Sequence, residues 1–269
     1  MRKKHIKLLL LALMPVIIYS CVKEADDNLD RLEKFYRDNP DAISQVKFVH
    51  AYTPLTLGGT PAQSTTTVGF RIHMDGNKIN GAGLASASTN TFMYGGVYPP
   101  TTAYAFLPPG LRNFKFVINR LTGGAFAPVT GDELLSTNVN LVAGKKYSLF
   151  IADPYTAGYI IEDNFQVPPL NQFGIRFVNL CGDNGTRFDV TSARIGKLFS
   201  NVGYQEMKDY QYYGTTANDT ITLKTAGTNT VVSQINGFLA GAQRVYTLYA
   251  RGKTGVTGRT PSITFYTNR

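Results

Sequence analysis

Ile175-Arg176-Phe177-Val178-Asn179 is a second rendering of Val46-Lys47-Phe48-Val49-His50. Both stretches alternate with a period of two and are rich in β-branched and aromatic residues, the pattern of a strand in a sheet. Phe70-Arg71-Ile72-His73-Met74, Phe114-Lys115-Phe116-Val117-Ile118 and Tyr147-Ser148-Leu149-Phe150-Ile151 read the same way. Between these runs lie Gly, Pro, Asn and Thr clusters, with tight-turn signals at Asp75-Gly76 and Pro108-Pro109-Gly110. A second pair of stretches repeats in the same order. Leu141-Val142-Ala143-Gly144 before Tyr147-Ser148-Leu149-Phe150 returns as Phe238-Leu239-Ala240-Gly241 before Tyr246-Thr247-Leu248-Tyr249. An opening strand and a closing hairpin that recur together mark two copies of one fold. With no long helical pattern between them, the chain reads as all-β: two tandem immunoglobulin-like antiparallel β-sandwich domains, 45–168 and 169–269. Val167-Pro168-Pro169-Leu170 supplies a stiff linker at their join, and residues 81–102 form an insertion specific to the first copy.

The N-terminus is of a different kind. Arg2, Lys3, Lys4 and Lys7 precede an apolar run, Leu8 to Ile18, that is too short to span a bilayer, which takes about 20 apolar residues. It ends in Ile18-Tyr19-Ser20-Cys21, which resembles the lipobox of bacterial lipoproteins, with Tyr19 bulkier than that pattern usually has. The resemblance implies a signal peptide over residues 1–20, cleavage before Cys21, and acylation of Cys21 as a membrane anchor. Residues 21–44 then form a tether, with helical spacing over 28–39 and a stop at Asn39-Pro40. Lys23-Glu24-Ala25-Asp26-Asp27 is similar to the export signal of surface lipoproteins. This implies the outer membrane, with the cell surface as the favoured side and the periplasmic face as the alternative.

Further residues carry a family resemblance. Ile175 to Asn179, Lys197-Leu198-Phe199-Ser200-Asn201-Val202-Gly203-Tyr204, Asp209-Tyr210, and Leu239-Ala240-Gly241 before Val245 to Gly252 resemble the bacterial domain-of-unknown-function family numbered 4397. The likeness runs over roughly residues 173–252. The first copy matches only at its ends, with His50 in place of Asn179. The resemblance implies secreted or lipid-anchored β-sandwich modules, often in tandem, and transfers no catalytic residue.

Composition excludes more than it assigns. Four of the 27 basic residues lie in the leader, leaving 23 against 18 acidic ones, and no basic run interleaved with aromatics appears, which argues against nucleic acid. Once Cys21 is acylated, Cys181 has no partner and follows an apolar stretch, as a small buried thiol does. Past the leader only His50 and His73 remain, without a nucleophile elbow, and no His/Cys pair has metal-ligand spacing. Asp75-Gly76-Asn77 and Asp183-Asn184-Gly185 are turn residues rather than a calcium loop. A carboxylate pair for glycoside hydrolysis is the weakest surviving enzymatic option. No cofactor is expected and no catalytic residue is assigned.

Tyrosine is the one surface chemistry in supply, since the chain has no tryptophan. Tyr94 and Tyr98, with Tyr104, fall in or beside the insertion; Tyr210, Tyr212 and Tyr213 cluster in the second copy. Flat rings with a hydroxyl suit sugar rings and protein partners alike, and filling a core is the competing use of each. Asp219-Thr220-Ile221 resembles a three-residue O-glycosylation site. The sequence therefore reads as a non-enzymatic adhesion or binding module held to the membrane through lipid on Cys21. A glycan is one expected ligand and a surface protein, within an envelope assembly, the other.

Overall fold

The computed structural model describes residues 39–269 except 54–55, 58–59, 62–67, 81–91, 123–124, 153–157, 184 and 257. The leader, Cys21 and all but the last residue of the expected helix over 28–39 lie outside the described residues. Those residues hold a single 3-10 turn, Pro40–Ala42, and otherwise strands.

The first body begins with β1 (Ser44–His50), a short ribbon of β2 (Thr56–Leu57) and β3 (Thr60–Pro61), and β4 (Val68–Met74). It continues through β5 (Asn77–Lys78), β6 (Phe92–Met93), β7 (Val97–Tyr98), β8 (Ala105–Leu107), β9 (Gly110–Thr122), β10 (Ala125–Leu141), β11 (Lys146–Ile151) and β12 (Tyr159–Glu162). Its inner sheet runs β12-β11-β1, with β7 and β8 both paired to β1; its outer sheet runs β10-β9-β4-β5, with β6 on β4. Asp75 and Gly76, both at positive φ, turn β4 into β5 in two residues, as the sequence predicts.

The second body comprises β13 (Gln172–Asn179), β14 (Phe188–Ser192), β15 (Gly196–Val202), β16 (Met207–Gly214), β17 (Asp219–Thr225), β18 (Val231–Phe238), β19 (Val245–Arg251) and β20 (Ser262–Thr267). The inner sheet is β16-β13-β19-β20 and the outer β15-β14-β17-β18. Order and direction repeat those of the first body: β13 stands for β1, β19 for β11, β20 for β12, and β14-β17-β18 for β4-β9-β10.

One expectation is corrected. The sandwiches are not purely antiparallel, because β1 pairs with β11 in parallel and β13 with β19 likewise. Opening and closing strands are separated by the whole sandwich, so no hairpin forces them to oppose, and a long connection is what a parallel pair requires.

Each body closes over its own core. Phe48, Phe70, Ile72, Phe114, Phe116 and Leu149 fill the first; Phe173, Phe177, Val190, Leu223, Phe238 and Leu248 fill the second. A third apolar cluster belongs to neither. It joins Val49, Ala51, Phe150, Ala152 and Ile161 of the first inner sheet to Val178, Leu180, Tyr249 and Tyr266 of the second. The two inner sheets thus pack face to face, through residues that alternation points away from each body's own core.

Candidate functional site

The centre of that junction is charged. On β13, Ile175 and Phe177 enter the second core, so Arg176 between them faces the other body, where it is fully buried. Its Nη2 donates to Asp163 Oδ1, just past β12, and Nε donates to Thr247 Oγ1 at 2.9 Å. The guanidinium carbon stands 4.8 Å from the Tyr210 ring centre. Asp163 also accepts from Tyr104 Oη at 2.7 Å and Ser148 Oγ at 2.8 Å, while Tyr266 Oη donates to Ser148 at 2.7 Å. Asn268 closes the ring, donating to Tyr104 Oη at 2.9 Å and accepting from Thr247 Oγ1 at 2.7 Å.

Lys47, the counterpart of Arg176, is buried in the same layer. Its Nζ donates to Thr101 O at 2.8 Å and lies 4.7 Å from the Tyr104 ring centre. Burial pulls the Lys47 ammonium down to about 8, against the raising pull of Asp163. Burial is the largest influence on Arg176 and pulls it down, but the Asp163 carboxylate together with Tyr210 and Tyr266 outweighs it and the guanidinium sits above its ordinary value. Burial, reinforced by Asp163, raises Tyr104 far above the usual phenol range.

The two copies supply equivalent positions to this network. Lys47 pairs across its sheet with Ser148, and Arg176 with Thr247. Ile161 and Tyr266 stand opposite Ser148 and Thr247, and Asp163 and Asn268 follow two residues later. The sequence signal was present, a cation at the same place in both copies, but nothing in either repeat says that the two faces meet.

The tyrosines singled out in the sequence are not gathered into one face. Tyr94 lies against the Arg251 and Arg259 guanidiniums, 4.6 and 4.8 Å from its ring centre, and edge-on to His50. Tyr98 packs on Phe48 and donates to Ile79 O at 2.7 Å. Tyr210 sits over Arg176 in the junction, and burial raises its hydroxyl well above the usual range. Tyr104 is in the charged layer itself. Tyr212 and Tyr213 remain half-exposed on the edge strand β16, Tyr212 held to the Gln166 backbone and Tyr213 packed on Phe173.

Other sequence candidates take structural places. His50 Nδ1 accepts from Tyr52 N at 3.3 Å as Asn179 Oδ1 accepts from Cys181 N at 3.0 Å, which explains why the two residues share one slot. Burial, then the charges of Arg259 and Arg251, holds the His50 imidazole well below its ordinary value. Cys181 is buried and free, and burial pushes its thiol up to about 12. Asp183 is engaged by Thr254, and Asp75 by Arg112 and Asn113 N. Asp219 of the three-residue motif is buried against Ser192 Oγ at 2.6 Å. Among the described residues no three His, Cys, Asp or Glu side chains come together as a metal site.

Residues 70–191 match the family model described as Domain of unknown function (DUF4397). The match is under half of the chain; it starts in β4 and ends in β14, so it shares only 173–191 with the stretch where the sequence resemblance is read. No curated protein matches the chain. Among solved structures, the chain is similar to a protein from Bacteroides fragilis described as a candidate for cell adhesion, at 12% identity and a TM-score of 0.20, covering 84% of this chain and 98% of that one. It is also similar to the fimbrial anchor protein Mfa2 of Porphyromonas gingivalis, at 10% identity and 0.21, covering 84% and 97%. A leucine-rich repeat protein of Bacteroides thetaiotaomicron matches at 12% identity and 0.19, covering 79% of this chain and 26% of that one. Superposition at that level aligns sheets loosely and transfers no residue. What the family match assigns is a DUF4397 domain over residues 70–191.

Proposed function

We propose that this chain is a non-enzymatic adhesion or assembly module of the cell envelope, anchored by lipid on Cys21, in which two immunoglobulin-like sandwiches act as one rigid unit. The observation that carries the reading is the buried contact of Arg176 with Asp163. A charge pair taken fully out of water persists only when its geometry is held and its remaining donors and acceptors are met. Here both bodies supply those partners, so the junction resists sliding. A part that presents surfaces at a fixed distance from the membrane needs that stiffness; a hinged enzyme cleft does not.

A protein partner is the favoured ligand class, because most of the singled-out tyrosines are consumed by packing. The glycan reading keeps Tyr212 and Tyr213, half-exposed on an edge strand. Palmitate labelling and protease shaving of intact cells, wild type beside Cys21→Ser, test the address: the variant should lose both label and surface cleavage. Attachment of cells displaying the chain tests adhesion, and attachment no better than that of bare cells would sink it. A glycan array with a Tyr212→Ala, Tyr213→Ala variant tests the second reading, since binding that the variant loses would move the assignment to carbohydrate. Turnover of glycoside or ester substrates would overturn the non-enzymatic reading.

A further inference from the structure

Of the eight large apolar side chains left exposed among the described residues, six stand at one end of the molecule. In the first body they are Phe106, Leu111 and Val142. Phe106 lies across from Gln45 at the start of β1, and Leu111 across from Asn140, where β9 opens and β10 closes. Val142 O accepts from Ser44 Oγ, the first residue of β1, at 2.9 Å. In the second body they are Val167, Leu170 and Leu239. Leu239 follows β18 as Val142 follows β10, and Leu170 lies just ahead of β13. Pro168 O, beside Val167, accepts from Gln243 Nε2 at 3.4 Å, close to the start of β19. The two ends lie on one side. At the far end, Arg251 of β19 stands 4.6 Å from the Tyr94 ring centre, and Gly95 N donates to His50 O at the close of β1. The two strands therefore finish together and begin together. The near ends are joined by the linker from Glu162 to Gln172, which passes Lys146, the first residue of β11, with Phe165 5.4 Å from its Nζ. Single exposed apolar residues are ordinary, but six gathered at a shared end mark a surface that meets protein or lipid.

The course of the chain decides which. Because β1 begins at this end, the stretch leading back from Pro40 to Cys21 also departs from it. The 18 residues between Cys21 and Pro40 span at most about 65 Å, and a flexible chain of that length averages about 23 Å. A lipid on Cys21 therefore holds this end, and not the opposite one, beside the headgroups. Exposed arginines accompany the apolar residues. Arg194 lies in the turn from β14 to β15, its N–H on Asp219, which pairs with Phe238 next to Leu239. Arg244 immediately precedes β19. Of the carboxylates here, Glu162 is held by Lys145 at 2.8 Å, Asp75 by Arg112 at 3.1 Å and Asp219 by Ser192 at 2.6 Å; Asp41 is exposed. We infer that this end is a membrane-docking surface, with Leu111, Val142, Leu170 and Leu239 entering the interface of an anionic bilayer and Arg194 and Arg244 meeting its phosphates. The inference rests on the lipid anchor proposed above. Tethering makes docking intramolecular, so shallow contacts that would not hold a free protein suffice, and they fix the tilt of the two-sandwich unit.

The chain has no tryptophan, so a single introduced tryptophan reports its own surroundings. The full chain is extracted in detergent and reconstituted into vesicles of phosphatidylcholine and phosphatidylglycerol, with or without brominated acyl chains as quencher. Leu111→Trp and Leu239→Trp, one in each body, should shift to the blue and lose most of their emission to the brominated lipid. Val231→Trp, at the opposite end of β18 and also exposed, should keep its emission. Intact mass reports acylation of Cys21 separately. A chain found without lipid is coupled at Cys21 to a maleimide-lipid, Cys181 being buried, so the anchor can fail while docking is still read. Equal quenching at all three positions, or an unquenched Leu111→Trp or Leu239→Trp, would overturn the assignment. No quenching in vesicles, with a blue shift of Leu239→Trp that grows with protein concentration in detergent, would give the end to a second copy and overturn the membrane.

Discussion

At the residue scale, the informative groups are titratable side chains placed where water is absent. His50 stays neutral when folded because burial and two arginines oppose its charge, whereas an unfolded histidine takes up a proton near pH 6.5. The unfolded chain therefore binds more protons below that pH, and stability falls as pH drops, by up to about 1.4 kcal/mol per pH unit from this group. His50→Asn, which installs the residue found at the equivalent Asn179, should keep the acceptor for Tyr52 N and flatten that acid limb in urea titrations. His50→Ala should instead cost about 1–3 kcal/mol at neutral pH, because a buried N–H loses its acceptor. Lys47 gives the alkaline counterpart. Folded, it lets go its proton near 8; unfolded, near 10.4, so unfolding takes up a proton between them and stability rises with pH across that window. Above about 10 the sign reverses, since Tyr104, Tyr249 and Tyr266 hold their protons when folded and lose them when unfolded. Cys181 opposes the rise from about pH 8.5, where an unfolded thiol releases the proton that the buried one keeps. In a Cys181→Ala background urea midpoints from pH 7 to 11 should therefore pass through a maximum, and Lys47→Met should remove the rising limb while leaving the falling one. A monotonic profile in Cys181→Ala would refute this account. Of these groups, the sequence exposed the kinship of His50 with Asn179. It did not show that Lys47 is dry, because a lysine on the non-core face of a strand ordinarily meets water.

At the element scale, turns were legible and pairing direction was not. Asp75-Gly76 announced its hairpin because a two-residue turn demands positive φ at both positions, which this pair tolerates. The parallel pairing of β1 with β11 left no local trace, since both strands read simply as alternating apolar runs. The length of β10, paired with β9 through bulges near Pro128 and Glu133, was equally silent, because Pro and Gly within it read as loop. Gly252, just past β19, shows how tightly such an end is fitted. It has φ +102°, and a Cβ there would fall 2.3 Å from the Thr260 carbonyl oxygen. Gly252→Ala should destabilise by at least about 2 kcal/mol, read as a lowered denaturant midpoint. Gly185→Ala, also at positive φ but in open space, should cost about 1 kcal/mol. Equal losses at the two sites would show that backbone conformation alone, and not the Thr260 contact, sets the penalty.

For the whole molecule, the junction decides whether two sandwiches behave as one. Removing one partner of a buried pair strands the other, so Arg176→Met or Asp163→Leu alone should each cost about 3–5 kcal/mol. The double replacement should recover much of that loss, because apolar side chains there extend the cluster of Val49, Phe150, Val178 and Tyr249. Calorimetry should give one transition for wild type and two for the singles; two transitions in wild type would mean that the bodies are independent. Sequence alone determined the strand class, the duplication and the turn positions, since these follow from local alternation and from repetition of the chain against itself. Tertiary structure alone decided that the outward faces of β1 and β13 are a common interior. Alternation reports only that Lys47 and Arg176 point away from their own cores; whether that direction leads to water or to Asp163 depends on how two finished sandwiches dock. The tyrosine cluster is divided in the same way: Tyr210 lies over Arg176 of the neighbouring strand and edge-on to Phe165, with its hydroxyl buried, whereas Tyr212 and Tyr213 stay half-exposed.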